Sequence, residues 1–179
     1  MLIRKASGHE LPALWGWRDA DTAPPTARFF FNNICEGNAV FWTLDNDGEQ
    51  GGELYAFLNL GDKDFADGRN TAYLCAFRVK KECRGQGYGT GLINAALEDL
   101  KQMGFRSAAI GVGIDEPQNI RLYSRLGFST RIKDCHYDPC GMDENMQPVY
   151  EETAWWLLKK DLWTNCLNFG GWLLWIIKL

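Results

Sequence analysis

Apolar positions along the chain alternate between a period near two and a period near 3.6. Residues 2–6 are a short apolar start that predicts a strand. Leu11, Leu14, Trp15 and Trp17 then fall at roughly helical spacing over 8–19, and Pro24-Pro25 breaks the chain. Thr26 is a candidate N-cap for a helix running through Glu36. Residues 39–44 and 53–60 are strand-like, and Asp45-Asn46-Asp47-Gly48 between them is turn chemistry, so together they predict a hairpin. Residues 71–79 predict a third long strand. Leu92, Ile93, Ala96, Leu97 and Leu100 mark one face of a helix over 90–103, with Gly104 as its stop. A buried-type strand over 107–112 follows, then a loop holding Pro117 and a short helix over 119–126 closed by Gly127. Strands over 128–134 and 153–160 complete the body. The segment joining them, with Pro139, Gly141 and Pro148, reads as a polar loop.

This order of elements predicts a mixed α/β domain with a partly antiparallel sheet. No repeat, low-complexity tract or linker divides residues 1–162, so they form one expected domain. The tail, 163–179, ends in an apolar run shorter than the ~20 residues that span a bilayer. It carries little basic charge to hold it on a membrane surface. The expectation is a strand or short helix packed on the body, with contact to a second chain in a homodimer as the alternative.

Composition narrows the class. Of the 179 residues, 46% are apolar and 23% charged, which suits a folded domain with a sizeable core. A net charge of −4 disfavours a nucleic-acid partner and is compatible with a cationic substrate. The opening MLIRKASGHE lacks the apolar run of a signal peptide, so the expectation is a cytoplasmic protein whose six cysteines are reduced. Cys135, His136 and Cys140 lack a second close-spaced ligand pair, and His9 is the only other histidine, so no metal is expected.

The most informative stretch is Arg84-Gly85-Gln86-Gly87-Tyr88-Gly89, set between a predicted strand and a predicted helix. Its glycines let backbone N–H groups converge, and the start of the helix adds unpaired N–H groups and a positive dipole end. That is an anion site suited to phosphate. The spacing is wrong for the dinucleotide fingerprint, and no Gly-Lys-Ser/Thr follows to make a P-loop.

Arg84, Gly87 and Gly89 fill the three specified positions of Q/R-x-x-G-x-G/A, and the segment 79–89 resembles the acyl-CoA motif of the GNAT superfamily of N-acetyltransferases. A second segment, Asn119-Ile120-Arg121-Leu122-Tyr123-Ser124-Arg125-Leu126-Gly127-Phe128, resembles the family's later motif, and the order of elements over 2–160 is similar too. The resemblance implies the GNAT fold: a mixed, mostly antiparallel sheet of six to seven strands flanked by about four helices. The apolar C-terminal tail lies outside it. It implies acetyl-CoA as co-substrate and direct acetyl transfer to an amine. By matching positions, Arg84, Gly85, Gln86, Gly87, Gly89 and Thr90 would cradle the pyrophosphate, Phe77 and Val79 would pair with the pantetheine arm through their backbones, and Asn119 would contact that arm or order its loop. Tyr123 matches the general acid that protonates the departing thiolate.

The family's strand-borne glutamate is missing from Tyr73-Leu74-Cys75-Ala76-Phe77-Arg78-Val79. Glu53, on the preceding strand, is the best substitute base, since Glu53, Tyr55, Phe57 and Asn59 share one face by alternation. Glu36, His136 and water are further options. In this fold the acceptor pocket draws on the first two helices and the later strands, here offering Trp15, Trp17, Asp19, Asp21, Phe29, Phe30, Glu36, Tyr137, Asp138 and Glu144. Aromatic rings with carboxylates would suit a small cationic amine.

Overall fold

In the computed structural model, residues 1–18, 22–46 and 48–163 are described. The strands are β1 (Leu2–Ala6), β2 (Ala39–Asn46), β3 (Glu49–Phe57), β4 (Thr71–Val79), β5 (Ser107–Gly113), β6 (Thr130–Met142) and β7 (Pro148–Asp161). The helices are α1 (Leu11–Trp15), α2 (Pro25–Cys35), α3 (Tyr88–Gln102) and α4 (Pro117–Arg125). One seven-stranded sheet runs in the order β1-β2-β3-β4-β5-β7-β6. Every neighbouring pair is antiparallel except β4–β5. The mixed GNAT-type sheet expected from the sequence is therefore present.

Alternation along the strands splits the core across the sheet. On one face, Leu54, Ala56, Ala72, Leu74, Ala108 and Ile110 pack under the apolar stripe of α3 and under Tyr123 of α4. On the other, Phe41, Tyr55, Phe57, Tyr73 and Ala109 pack against Leu11 of α1 and Phe30 of α2. The second face is unusually aromatic. Phe30 meets Tyr55 and Phe57 edge-on, both at 5.0 Å between ring centroids, and Phe41 stacks on Tyr55 at 4.8 Å.

Three local expectations need correction. Thr26 does not cap α2. Pro25 takes the first helical position, where its fixed φ suits the start, and the Thr26 hydroxyl instead accepts the Met142 N–H at 3.0 Å. Pro117 likewise opens α4 rather than sitting in a loop. The segment containing Pro139, Gly141 and Pro148 is mostly strand, as the distal half of a long β6–β7 hairpin. Its pairing slips between Arg131 and Lys133, between Cys135 and Tyr137, and between Asp138 and Met142. Those irregularities are where proline and glycine are tolerated in a ladder, so the sequence looked like a loop.

The loop between β3 and β4 is fixed by Asp67. Its Oδ1 accepts the backbone N–H groups of Arg69, Asn70 and Thr71 at 2.9, 2.6 and 2.9 Å. At the far end, Trp163 donates its indole N–H to the Phe105 carbonyl at 2.9 Å, and Lys101 lies over its ring. The remainder of the expected tail, 164–179, lies outside the described residues. No described helix is long and apolar enough to cross a membrane.

Candidate active site

The parallel pair β4–β5 is registered over only four positions, from Thr71 opposite Ser107 to Leu74 opposite Ile110. Beyond Leu74, β4 has no partner on that side among the described residues, and a cleft of about 440 Å³ opens between the strands. Cys75, Ala76 and Phe77 form one wall, Gly111, Val112 and Gly113 the other. Asn119 and Tyr123 of α4 line it, as do Asp138 of β6 and Trp155 of β7. Its lining thus comes from both packed faces of the sheet.

The wall on β4 is shaped by a bulge. Glu53 pairs with Arg78 and Tyr55 with Cys75, so Ala76 and Phe77 together oppose the single Leu54. Ala76 takes a left-handed φ of 48° to make this possible. Such strain in a residue other than glycine is costly and gathers at functional sites. The bulge takes backbone groups out of the ladder at the point where β5 has already parted. No sequence signal marks it, because an alanine inside an apolar run looks like ordinary strand.

At the end of β4 the glycine loop turns into α3. Gly85 and Gly87 have φ of 74° and 82°, and a Cβ at either would meet nothing within 4 Å. Gly87 is the N-cap of α3, so the unpaired N–H groups of the first turn open onto this loop. Gly89 serves packing: a Cβ there would lie 3.1 Å from Phe77 Cζ. The helix start is pressed onto β4, with Thr90 exposed beside it. The Arg84 Nε–H donates to the Val79 carbonyl at 2.9 Å, and the Gln86 amide donates to Glu82 O at 3.1 Å. The glycine loop and the start of α3 thus abut Phe77, a residue of the cleft wall.

Tyr123 is 5% exposed and packs edge-on against Phe128. Burial, reinforced by the Glu116 carboxylate, holds its phenol well above the usual tyrosine range. The group therefore keeps its proton at neutral pH.

Glu53 is also buried, at 5% exposure, but it does not line the cleft. Its Oε2 accepts from Trp15 Nε1 at 3.1 Å, Gln50 Nε2 at 3.2 Å and the Tyr55 hydroxyl at 2.9 Å. Its Oε1 lies 3.6 Å from the Arg78 guanidinium, which also sits over the Trp15 ring. Burial, with the Glu53 charge adding to it, raises the Tyr55 phenol far above its usual range.

Of the acceptor-pocket candidates, Asp138 reaches the cleft. Phe29 stacks on Phe57, and Phe30 is core. Trp17 meets Phe31 edge-on. The Tyr137 hydroxyl donates to Asp62. Glu36, Glu144 and His136 are exposed, and Asp19 and Asp21 lie outside the described residues. The sequence reading missed Cys75, Ala76, Glu151 and Trp155 as lining residues. The described cysteines, Cys35, Cys75, Cys83, Cys135 and Cys140, are free thiols. Among the described residues no group of three or more His, Cys, Asp or Glu side chains is arranged to hold a metal.

The model of the acetyltransferase (GNAT) family matches residues 9–128. The chain belongs to the GNAT acetyltransferase family. An uncharacterized N-acetyltransferase of Methanocaldococcus jannaschii is 38% identical over 63 residues, a match spanning 35% of this chain and 28% of that relative. Among solved structures, the ribosomal-protein-S18-alanine N-acetyltransferase of Escherichia coli superimposes with a TM-score of 0.63 at 17% identity, covering 95% of this chain and 100% of that one. A spermidine N-acetyltransferase variant of Vibrio cholerae gives 0.61 at 11% identity over 90% and 95% of the two chains. A GNAT acetyltransferase of Elizabethkingia anophelis with acetyl-CoA bound gives 0.58 at 17% identity over 89% and 97%. These GNAT structures share the fold of the present chain.

Proposed function

We propose that this GNAT chain is an acetyl-CoA-dependent N-acetyltransferase that moves the acetyl group directly to a primary amine of a small cationic molecule. The observation that carries the reading is the cleft itself, lined by Tyr123 and by Phe77, against which Gly89 of the glycine loop packs. Acetyl-CoA supplies the activated acetyl thioester. Arg84, Gly85, Gln86, Gly87, Gly89 and Thr90 would hold its pyrophosphate, mainly through backbone N–H groups. The unpaired edge of β4, with Phe77 and Val79, would pair with its arm as an added strand does. Asn119 would order that arm, and Tyr123 would give its proton to the departing sulfur. Glu53 is held where it fixes Trp15 and Arg78 beside the bulge.

The acceptor class is inferred from carboxylates in the cleft, Glu116, Asp138 and Glu151, together with the aromatic Trp155. The likeness to the Vibrio cholerae spermidine enzyme is compatible with this, and the likeness to the Escherichia coli ribosomal-protein enzyme keeps protein amino groups as a second class. The test is an amine panel with acetyl-CoA, read by release of free thiol, spanning diamines, polyamines, amino acids and peptide N-termini. Thiol release with small cationic amines is expected. Binding of acetyl-CoA without transfer to any amine would instead identify a non-catalytic acyl-CoA-binding module.

A further inference from the structure

Direct transfer requires a group that removes a proton from the incoming ammonium, on the acceptor's side of the thioester carbonyl and away from the sulfur's proton donor. Tyr123 belongs to the face packed by α3 and α4. The deprotonating group should therefore come from lining on the α1 and α2 face. Glu116 belongs to the Tyr123 end, as the N-cap of α4, and its Oε2 accepts the Gly113 N–H at 3.1 Å. Glu151 is exposed on β7. Asp138 is half-buried and held in place, because its Oδ1 accepts the Cys140 N–H at 2.9 Å.

Its other oxygen is left open by the glycine beside it. A Cβ at Gly141 would stand 2.7 Å from Asp138 Oδ2 and cover it. Tyr73 of β4 and Cys140 of β6 interact electrostatically with Asp138, and the titratable side chains Cys75, Glu116 and Glu151 line the same cleft. None of these five is a cation. An arriving ammonium would supply the opposite charge that they do not.

We propose that Asp138 binds the acceptor ammonium and takes its proton. The inference rests on the acetyltransferase reading above. The N–H bond of R–NH3+ breaks, and its proton passes to Asp138 Oδ2. The freed nitrogen lone pair forms the C–N bond to the thioester carbonyl carbon. The C–S bond then breaks, and its electron pair leaves on sulfur, which receives the Tyr123 proton. The surplus proton on the new amide nitrogen re-protonates Tyr123, through water if needed, and Asp138 releases its proton to solvent.

Asp138→Asn tests this, because it retains an oxygen for the Cys140 N–H. At pH 7, kcat/KM for the amine should fall about 100-fold. Activity should return as pH rises through the amine's own pKa, since a free amine needs no base. Acetyl-CoA affinity by calorimetry should be unchanged, which also verifies the folded cleft. Asp138→Glu, which keeps a carboxylate, should retain the wild-type pH profile and provides the measurement if the asparagine variant fails to fold. A wild-type rate and profile in Asp138→Asn, or an Asp138→Glu variant that is folded but follows the free-amine profile, overturns the role of Asp138 alone. A wild-type protein that binds acetyl-CoA but transfers to no amine overturns this proposal and the transferase reading together.

Discussion

Tyr123 and Ala76 show how unevenly single residues reveal their roles. Tyr123 could be singled out in the sequence because it sits between an asparagine and a Gly-Phe pair at a recognisable spacing. The glycines of the loop were legible for a related reason. Gly85 and Gly87 adopt backbone angles that few other residues tolerate, and Gly89 admits the helix against Phe77. Each glycine has its own backbone reason, so their number alone says less about phosphate than the open N–H groups at the start of α3 do. Ala76 carries no such mark, although its φ of 48° shapes the wall of the cleft. At this scale the sharpest prediction concerns the phenol. Tyr123→Phe should lower kcat by about 100-fold or more, the effect of losing one general acid, with the acetyl-CoA dissociation constant unchanged. Because burial raises the Tyr123 phenol, its deprotonation should produce no fall in rate between pH 7 and about 10. Thiol-release kinetics across that range, beside calorimetry, check both statements. A loss of acetyl-CoA binding equal to the loss of rate would assign Tyr123 to binding instead.

Elements with regular periodicity were read well, and those that depend on irregular pairing were not. β4 spans the residues the pattern predicted, and α3 starts two residues earlier than expected. The distal β6–β7 hairpin was hidden by Pro139, Gly141 and Pro148, which sit where the register slips. That mattered for the site, because Asp138 and Trp155 reach the cleft from this hairpin. The loop before β4 offers a test of how the irregular parts are held. Burial disfavours ionisation of Asp67, but the N–H groups of Thr71, Asn70 and Arg69 outweigh it and lower its carboxyl below the usual value. A carboxyl depressed in the folded state stabilises fully above its unfolded pKa and loses that contribution as pH falls through the folded one. Asp67→Ala should cost about 2 kcal/mol at pH 7, through N–H groups left unpaired. The gap to wild type in urea unfolding should narrow below about pH 4. A gap independent of pH would mean that the carboxylate's charge contributes nothing.

Across the whole molecule, the net charge of −4 and the carboxylates in the cleft point the same way. A cationic acceptor should be drawn in by a field that salt screens. Raising ionic strength from about 10 mM to 1 M shortens the screening length from about 30 Å to 3 Å. KM for a polycationic amine should then rise several-fold while kcat holds. Salt-independent KM values would detach the acceptor site from the charge. The fold as a whole was legible because its two motifs fix the order of the central elements. The acceptor was not, because it is chosen by side chains from elements distant in sequence, which converge only after folding.

The early parting of β4 and β5 also has a kinetic meaning. A cleft lined from both faces of the sheet would let donor and acceptor enter by separate doors, so that neither must leave before the other enters. Both should occupy the protein together, and double-reciprocal plots at several fixed donor concentrations should intersect. Parallel lines would reveal a covalent acetyl-protein relay, with the thiol of Cys75 on the cleft wall as the first side chain to examine.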